Sequence, residues 1–599
     1  MHVNKIKTQW DFESFFSGSD SATEKEKKII SRENYKFINK WSNRDDYLND
    51  PAVLKKALDE YERLNRNFGT SGNAGFYFYL KSHLDENDPK TKARFKNIQE
   101  FSIKIGNELQ FFEHNIARIS PNIQSRFLTY EGLRARKHFL EKLFNQAKYI
   151  LSDAEEKILN LKQATSHDNW VKMVSSFLSR EERVVLTEKG KKEKKNYSEI
   201  IKLMSSNKKR VRDSASVAFN DILQKYADVA ENELNSILAN KKINDDLRKM
   251  NRPDLARHID DDIDSEVVGA LISAVSAKFS ISKKYYALKA KLMKTDRLEY
   301  HERNVEYGKL PKYSHSESVL LVNKVFANLD KKFSEILNNY ATQGQIDFFP
   351  KKDKTSGAFC ASNLISQPSY VLLNHSQSLS DTLTFAHEMG HAINSELQKE
   401  VVDSLNFGTP KSTAEVASTF MEDFVLEELK RDAKDETRLA LMMQKLNDDV
   451  ATIFRQIACY MFEKELHEQF RKKDYLPKEE IGKLFQKHMS AYTGPAVSQS
   501  SGSENWWIYW GHIRSFFYNY SYASGLLISK SMQARYAEDH SFMEKVKEFL
   551  SAGTSDSPKN IFKNMGVDIT NKKFWLNGLE RVAVLLKDAE NLAKKLGKI

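Results

Sequence analysis

Along most of the chain, apolar residues return every three to four positions, the period of a helix with one buried face. Residues 50–67 and 152–164 show it plainly, and breaks at 69–75, at 85–89 and around Pro121 divide the first 186 residues into successive helices. Helical hairpins are their simplest arrangement. A polar, basic, Gly-containing stretch at 187–196 follows. It is the best candidate for a boundary between a helical N-terminal lobe, 1–190, and a second domain, 191–599. Helical periodicity resumes over 197–293, with a charged loop at 260–264. The pattern changes from about 343 to 380, where SGAFCASNLI and PSYVLLNHS are short apolar runs bounded by turn residues. These predict short β-strands forming a small sheet. From Leu379 the helical period returns, interrupted near 406–410, 494–505 and 553–558. The sequence carries no fixed-period repeat and no low-complexity tract.

Composition sharpens this picture. At 599 residues the chain exceeds the usual span of one hydrophobic core, so two lobes or one large multi-lobed body are expected. Only 22 Gly and 11 Pro break the Leu-, Lys-, Glu- and Ala-rich stretches, which predicts a mainly α protein. Two cysteines, Cys360 and Cys459, are too few for a disulfide framework and point to a reducing, cytoplasmic setting. The first residues lack the apolar run of a secretory signal, and no segment has the apolar length to cross a bilayer, so no membrane partner is expected. The net charge of +11 is spread over 93 basic and 82 acidic residues. Its densest basic stretch, 189–195, reads as a solvated loop, so nucleic acid is not an expected partner.

The chemistry centres on His387-Glu388-Met389-Gly390-His391, an H-E-x-x-H motif inside a helical segment. Two His four residues apart lie one turn above each other on the same face, where both rings reach one metal ion. Glu388 is offset around the helix and approaches a metal-bound water without taking a ligand position. A catalytic zinc needs a third protein ligand and an open fourth position. The pattern that places a Gly and a further His downstream is excluded, since Asn394 and Leu397 occupy those positions. Glu415, near the start of the next helix, is the alternative. On spacing alone it serves equally as the third ligand or as the capping-box partner of Ser412. Glu422, two turns on, is a candidate for orienting a ligating His.

HEMGH followed by AEVASTFME resembles the thimet-oligopeptidase-like family of zinc metallopeptidases, and within it the oligoendopeptidase F branch. The resemblance extends to KTSGAFC at 354–360, PSYVLLN at 368–374, Phe454-Arg455-Gln456 and GHIRSFFYNYSYASG at 511–525. It covers roughly the last 400 residues; the first 190 share only a general helical pattern. In that family the Glu of E-V-A-S-T-F is the third zinc ligand, which carries over to Glu415. The resemblance also implies that His512 and tyrosines after it contact the reacting carbonyl, although such an aromatic cluster taken alone reads as core packing. Tyr518 and Tyr522, four apart, would share a helix face, whereas Tyr520 would point elsewhere. Phe359 stands where Tyr is common in the family, and the tyrosine spacing differs from the thimet branch.

The resemblance implies an elongated, two-lobed, mainly α zincin-type fold with a deep central channel and the small sheet beside the metal helix. The expected activity is zinc-dependent hydrolysis of internal bonds in short oligopeptides by a monomer holding one Zn2+ per chain. Zinc would activate water and polarise the carbonyl, Glu388 would act as general base and acid, and His512, Tyr518 and Tyr522 would steady the oxyanion. The strand around 356–362 could pair with an extended substrate. The alternatives are a zinc-dependent carboxy-terminal dipeptidase or amidase, or a non-catalytic basic binding protein.

Overall fold

The computed structural model describes residues 6–599. The chain is mainly helical, and among the described residues its strands form three small sheets. Helix starts follow local chemistry. The Asp50 side chain accepts from the backbone N–H of Ala52 and Val53 at the head of the helix Pro51–Asn67, and Pro51 sits where no donor is needed. Ser152 and Glu155 close a capping box on the helix Asp153–Gln163. The break expected at 69–75 is shorter than the glycines suggest: the helix Gly72–Leu84 begins inside it, because Ala74, Phe76, Phe78 and Leu80 are buried and outweigh the low helix propensity of Gly.

Contacts gather the described residues into two compact units, each built from three stretches of chain. One comprises Met1–Lys148, Pro311–Arg431 and Met532–Val567; the other comprises Tyr149–Leu310, Asp432–Ser531 and Asp568–Ile599. Because the stretches interleave, neither unit coincides with the sequence division 1–190 and 191–599. The polar segment at 187–196 belongs to a β-hairpin in which β1 (Glu182–Leu186) pairs antiparallel with β2 (Lys192–Asn196). Gly190, at φ 73°, supplies the left-handed residue of its turn. Polar composition reports an exposed backbone, which a hairpin tip shares with a linker. The helical periodicity expected up to 186 also gives way here, since Glu182-Arg183-Val184-Val185-Leu186 carries β-branched residues suited to a strand. In the same unit β3 (Leu298–Glu299) pairs in parallel with a strand near residue 497.

The sheet expected between 343 and 380 is present in the first unit. It consists of β4 (Ile346–Asp347), β5 (Phe359–Ala361) and β6 (Tyr370–Leu372), in the order β4-β6-β5, with β7 (Val497–Ser498) the partner of β3 elsewhere. β5 therefore lies at an edge. Ala361, Tyr370 and Leu372 pack against Trp10, Phe76 and Leu80, so the N-terminal segment forms part of this core. The Trp10 indole N–H donates to the Val371 carbonyl at 2.9 Å. The buried Lys354 ammonium donates to Asp347 Oδ1 at 2.7 Å and to the carbonyls of Phe349 and Leu373. This clip fixes the loop that delivers β5. Among the described residues no single helix is long and apolar enough to cross a membrane, although the bent pair Ser265–Ala277 and Phe279–Leu292 meets that length and composition test jointly.

Candidate functional site

His387 and His391 stand on the helix Leu379–Val401, whose start is fixed by a capping box between Ser378 and Asp381. The next helix, Glu415–Arg431, begins at Glu415 itself and crosses close to Gly390. A Cβ on Gly390 would lie 2.6 Å from Ser418 Cα and 2.7 Å from the Ala417 carbonyl, so the glycine of HEMGH is what lets the two backbones meet. That approach brings Glu415 Oε2 to 3.2 Å from His387 Nε2 and 3.7 Å from His391 Nε2. All three donor atoms lie within 4.8 Å of one another. Two imidazoles and one carboxylate, converging from two rigid helices, fit the donor set of a catalytic divalent metal with an open position.

The surrounding groups tune these donors. His387 Nδ1–H donates to Glu422 Oε2 at 3.0 Å, which turns Nε2 toward Glu415 and fixes the ring. Burial disfavours charge on His387, but the hydrogen bonds to Glu415 and Glu422 outweigh it and hold a proton there, raising its pKa to about 10. A bound cation would displace that proton. Burial, with His387 adjacent, lowers His391 to about 4, leaving its imidazole neutral. Burial alone would raise Glu415, yet its bond from His387 and the attraction of both histidines, His391 carrying its proton only at the acid pH where Glu415 titrates, bring it down to about 2. Ser418 Oγ donates to the same Oε2 atom at 3.1 Å. Glu388 is buried, which raises its carboxyl to about 7, although the backbone N–H of Cys360 on β5 donates to it. A carboxyl poised near neutrality is suited to taking and returning a proton.

These groups border a cleft of about 380 Å³ whose opposite wall is Ala358, Phe359, Cys360 and Ser362. Edge strand β5 thus runs beside Glu388.

His512, Tyr518 and Tyr522 come together in the other compact unit. The Trp510 indole N–H donates to His512 Nδ1 at 3.0 Å, and His512 Nε2 lies 3.0 Å from the Tyr522 hydroxyl. Burial and the nearby Arg455 charge lower the His512 pKa, favouring the neutral ring. An indole nitrogen only donates, so Nδ1 accepts and the ring proton sits on Nε2, donating to Tyr522. Tyr518 stacks on His512 with ring centroids 6.2 Å apart and meets Tyr522 edge-on at 5.2 Å. Tyr520 is buried and points elsewhere, its hydroxyl 2.8 Å from Asp261 Oδ2. The helix face invoked for the two tyrosines is not what joins them, since the helix Tyr520–Glu538 starts after Tyr518. Three contributors had weak sequence signals: Gly390, visible only as the small residue of the motif, the Cys360 N–H, and Trp510, two residues before His512.

A second cluster, Asp213, His301 and Glu302, has metal-like spacing. Arg212 and Lys209 bind Glu302 at 2.7 and 3.1 Å, so cations of the protein already neutralise it.

Comparison with known proteins bears on the first site. The model of peptidase family M3 matches residues 202–581, and that of oligopeptidase F matches 115–175. The chain belongs to peptidase family M3. An oligoendopeptidase F homolog of Borreliella burgdorferi is 24% identical over 91% of this chain and 96% of its own length. Group B oligopeptidase PepB of Streptococcus agalactiae is 24% identical over 86% of this chain and 87% of its own length. The crystal structure of oligoendopeptidase-F from Enterococcus faecium superposes with a TM-score of 0.71 at 18% identity, covering 96% of this chain and 99% of that one, which speaks to the fold. As an M3 peptidase the protein is an oligopeptide-cleaving metalloendopeptidase, and its family implies a bound metal.

Proposed function

We propose that this M3 peptidase is a cytoplasmic, monomeric zinc endopeptidase, in which one zinc ion is held by His387, His391 and Glu415 and Glu388 is the general base and acid. The carrying observation is the convergence of His387 Nε2, His391 Nε2 and Glu415 Oε2 beside the buried Glu388. When bound, zinc supplies Lewis acidity toward the scissile carbonyl and makes a water nucleophilic near neutral pH. Glu388 takes a proton from the attacking water on its carboxylate and returns it to the departing amine nitrogen. Glu422 holds His387 in the tautomer whose Nε2 is a lone-pair donor. The edge of β5 offers backbone groups to an extended peptide, giving affinity that depends little on side chains. We assign Tyr518 and Tyr522 as hydrogen-bond donors to the developing oxyanion, with His512 taking part by donating to the Tyr522 oxygen and so turning the phenolic hydrogen outward, supported by their mutual contacts and by the direction of the Trp510–His512–Tyr522 chain. Cytoplasmic residence is supported by the two free thiols, Cys360 and Cys459.

Metal content measured together with cleavage of a mixed oligopeptide pool tests this reading. Purified protein should carry one zinc per chain and cut internal bonds, chelation should abolish cleavage, and Glu388→Gln should keep zinc while losing nearly all turnover. Wild-type turnover in Glu388→Gln refutes the mechanism. Release of only carboxy-terminal dipeptides from a long quenched-fluorescence peptide would favour the dipeptidase alternative.

A further inference from the structure

Trp510 and His512 lie where two short 3-10 helices, Ser503–Ile508 and Gly511–Arg514, follow one another in the second compact unit. Elements this short fix their own side chains weakly, because 3-10 hydrogen bonds are few and of poorer geometry. One side chain supplies what the backbone lacks. The Arg514 guanidinium donates through Nη1 to the carbonyls of Trp507 at 2.6 Å and Trp510 at 3.3 Å, and it lies 5.8 Å from the centre of the Trp507 ring. Its other edge donates from Nε to Glu233 Oε1 at 3.0 Å and from Nη2 to Glu233 Oε2 at 2.7 Å. Glu233 stands on the helix Ala227–Leu247, and both members of the pair are buried.

A buried ion pair contributes little to stability, since taking the charges out of water costs so much that apolar residues of similar volume often serve a core as well. What an apolar pair lacks is direction. A guanidinium holds its donors in one rigid plane, so a carboxylate that grips one edge also sets where the remaining donors point. Here they point at the Trp507 and Trp510 carbonyls. A further group secures the far end of the stretch: His167 Nε2 donates to the Arg514 carbonyl at 2.9 Å, and the His167 ring meets Phe516 edge-on at 5.6 Å. His167 belongs to the π-helical turn Ala164–Asp168, a distortion that recurs at functional positions.

We propose that Glu233, Arg514 and His167 are positioning residues, which act through backbone carbonyls to hold Trp510 and His512 in the arrangement that turns the Tyr522 hydroxyl hydrogen outward. This inference rests on the oxyanion reading of Tyr518, Tyr522 and His512. Holding the Trp510 carbonyl places the residue whose indole N–H bonds His512 Nδ1, and holding the Arg514 carbonyl fixes the chain two residues after His512. A line of hydrogen bonds thus runs from the helix Ala227–Leu247 through Arg514 to the Trp510 backbone, and from the Trp510 indole through His512 to Tyr522. A misplacement of about 1 Å at the reacting groups can cost about a hundredfold in rate, so control at this distance matters to turnover.

Two variants test this. Arg514→Lys keeps a cation beside Glu233 but removes the planar fork, and His167→Ala removes one donor from a partly exposed side chain, a change the fold tolerates more readily. Each is read by kcat and KM on a quenched-fluorescence oligopeptide, by the 15N shifts of the His512 ring and by a thermal melt. Arg514→Lys should lower kcat about tenfold or more with KM within about twofold, and His512 should pass from Nε2-protonated to a mixture of tautomers. His167→Ala should move both readouts the same way, with kcat down about threefold. A purely structural role would lower the melting temperature while leaving kcat below the melt and the His512 shifts as in wild type, and that result overturns the inference. Where Arg514→Lys fails to fold, the same two readouts in His167→Ala decide it. Wild-type kcat in Tyr522→Phe would refute the oxyanion reading, and the 15N shifts would still decide whether these residues set the His512 proton.

Discussion

Replacing Trp510 by Phe isolates a single proton in the His512 cluster. The indole N–H fixes His512 Nδ1 as an acceptor, which places the ring proton on Nε2 and makes Tyr522 Oη the acceptor of that proton. The phenolic hydrogen is then directed to an acceptor other than His512, the sense required for donation to a developing oxyanion. Without the indole donor the ring can carry its proton on Nδ1 instead. Nε2 then becomes an acceptor and draws the Tyr522 O–H toward itself.

The size of the effect follows from the bond that is lost. A buried neutral hydrogen bond is worth about 0.5–1.5 kcal/mol net, and this is the bias removed from the tautomer equilibrium. Converted at about 1.4 kcal/mol per factor of ten, kcat should fall about twofold to tenfold. Tyr522→Phe deletes the donor outright and should cost about a hundredfold or more. The assay pairs kcat for both variants with the 15N shifts of the His512 ring, and a thermal melt controls for loss of the Trp510 contacts to Phe485 and Arg455. Wild type should show Nε2 protonated, and Trp510→Phe a mixture. An unchanged kcat in Trp510→Phe with a shifted tautomer, or Nδ1 protonated in wild type, refutes the chain of donors.

Three further outcomes are expected. Gly390→Ala forces a methyl against Ser418 Cα and the Ala417 carbonyl, so it should destabilise the fold by about 1–3 kcal/mol and weaken metal binding in chelator competition; undiminished metal affinity would refute the close-approach argument. Glu422→Gln should lower metal affinity about 10–100-fold by releasing the His387 ring, and an affinity within twofold of wild type, about 0.4 kcal/mol, would show that Glu422 does not orient it. Burial raises Glu463 from its ordinary 4.5 to about 8, so across that window the folded protein keeps a proton that the unfolded chain has released. Stability from this group is therefore full at the acid side of the window and declines as pH rises through it; denaturant unfolding from about pH 5 to about pH 9 should show that slope flattened in Glu463→Gln.

What the sequence reveals about the site depends on how far apart in the chain the interacting groups lie. His387 and His391 are legible because one helix sets their separation. The place of Glu415 depends on how closely a second helix packs, and periodicity carries no record of that distance beyond the small residue at 390. Ser412 three residues before Glu415 offers a capping box of equal merit, and only packing turns the carboxylate onto the histidines. Strands β5 and β6 are visible as apolar runs between turn residues, whereas β3, β4 and β7 span two residues each and leave no pattern. The interleaved units escape the sequence for the same reason. A composition shift at 187–196 locates exposed backbone, but the return of 311–431 and 532–567 to the first unit is a fact of tertiary contact.

The segment between His512 and Tyr518 shows how such a cluster is held once packing has formed it. Phe516 and Phe517 have φ of 45° and 57°, a region that costs bulky residues about 1–3 kcal/mol each. Local preference therefore opposes this path, and neighbouring groups must fix it. Arg257 donates to the carbonyls of Phe516 at 3.1 Å and Ser515 at 2.8 Å. Glu463 accepts from the Phe517 N–H at 3.0 Å and from Asn519 Nδ2 at 2.6 Å, while the His467 ring packs on both phenylalanines. The left-handed pair reverses the chain so that His512, before it, faces Tyr518 and Tyr522, after it. Glycine at 516 or 517 would relieve the strain, but it would remove the aromatic contacts that select this path and free the backbone to leave it. The strain is thus tolerated because the same two rings that incur it also anchor the reversal.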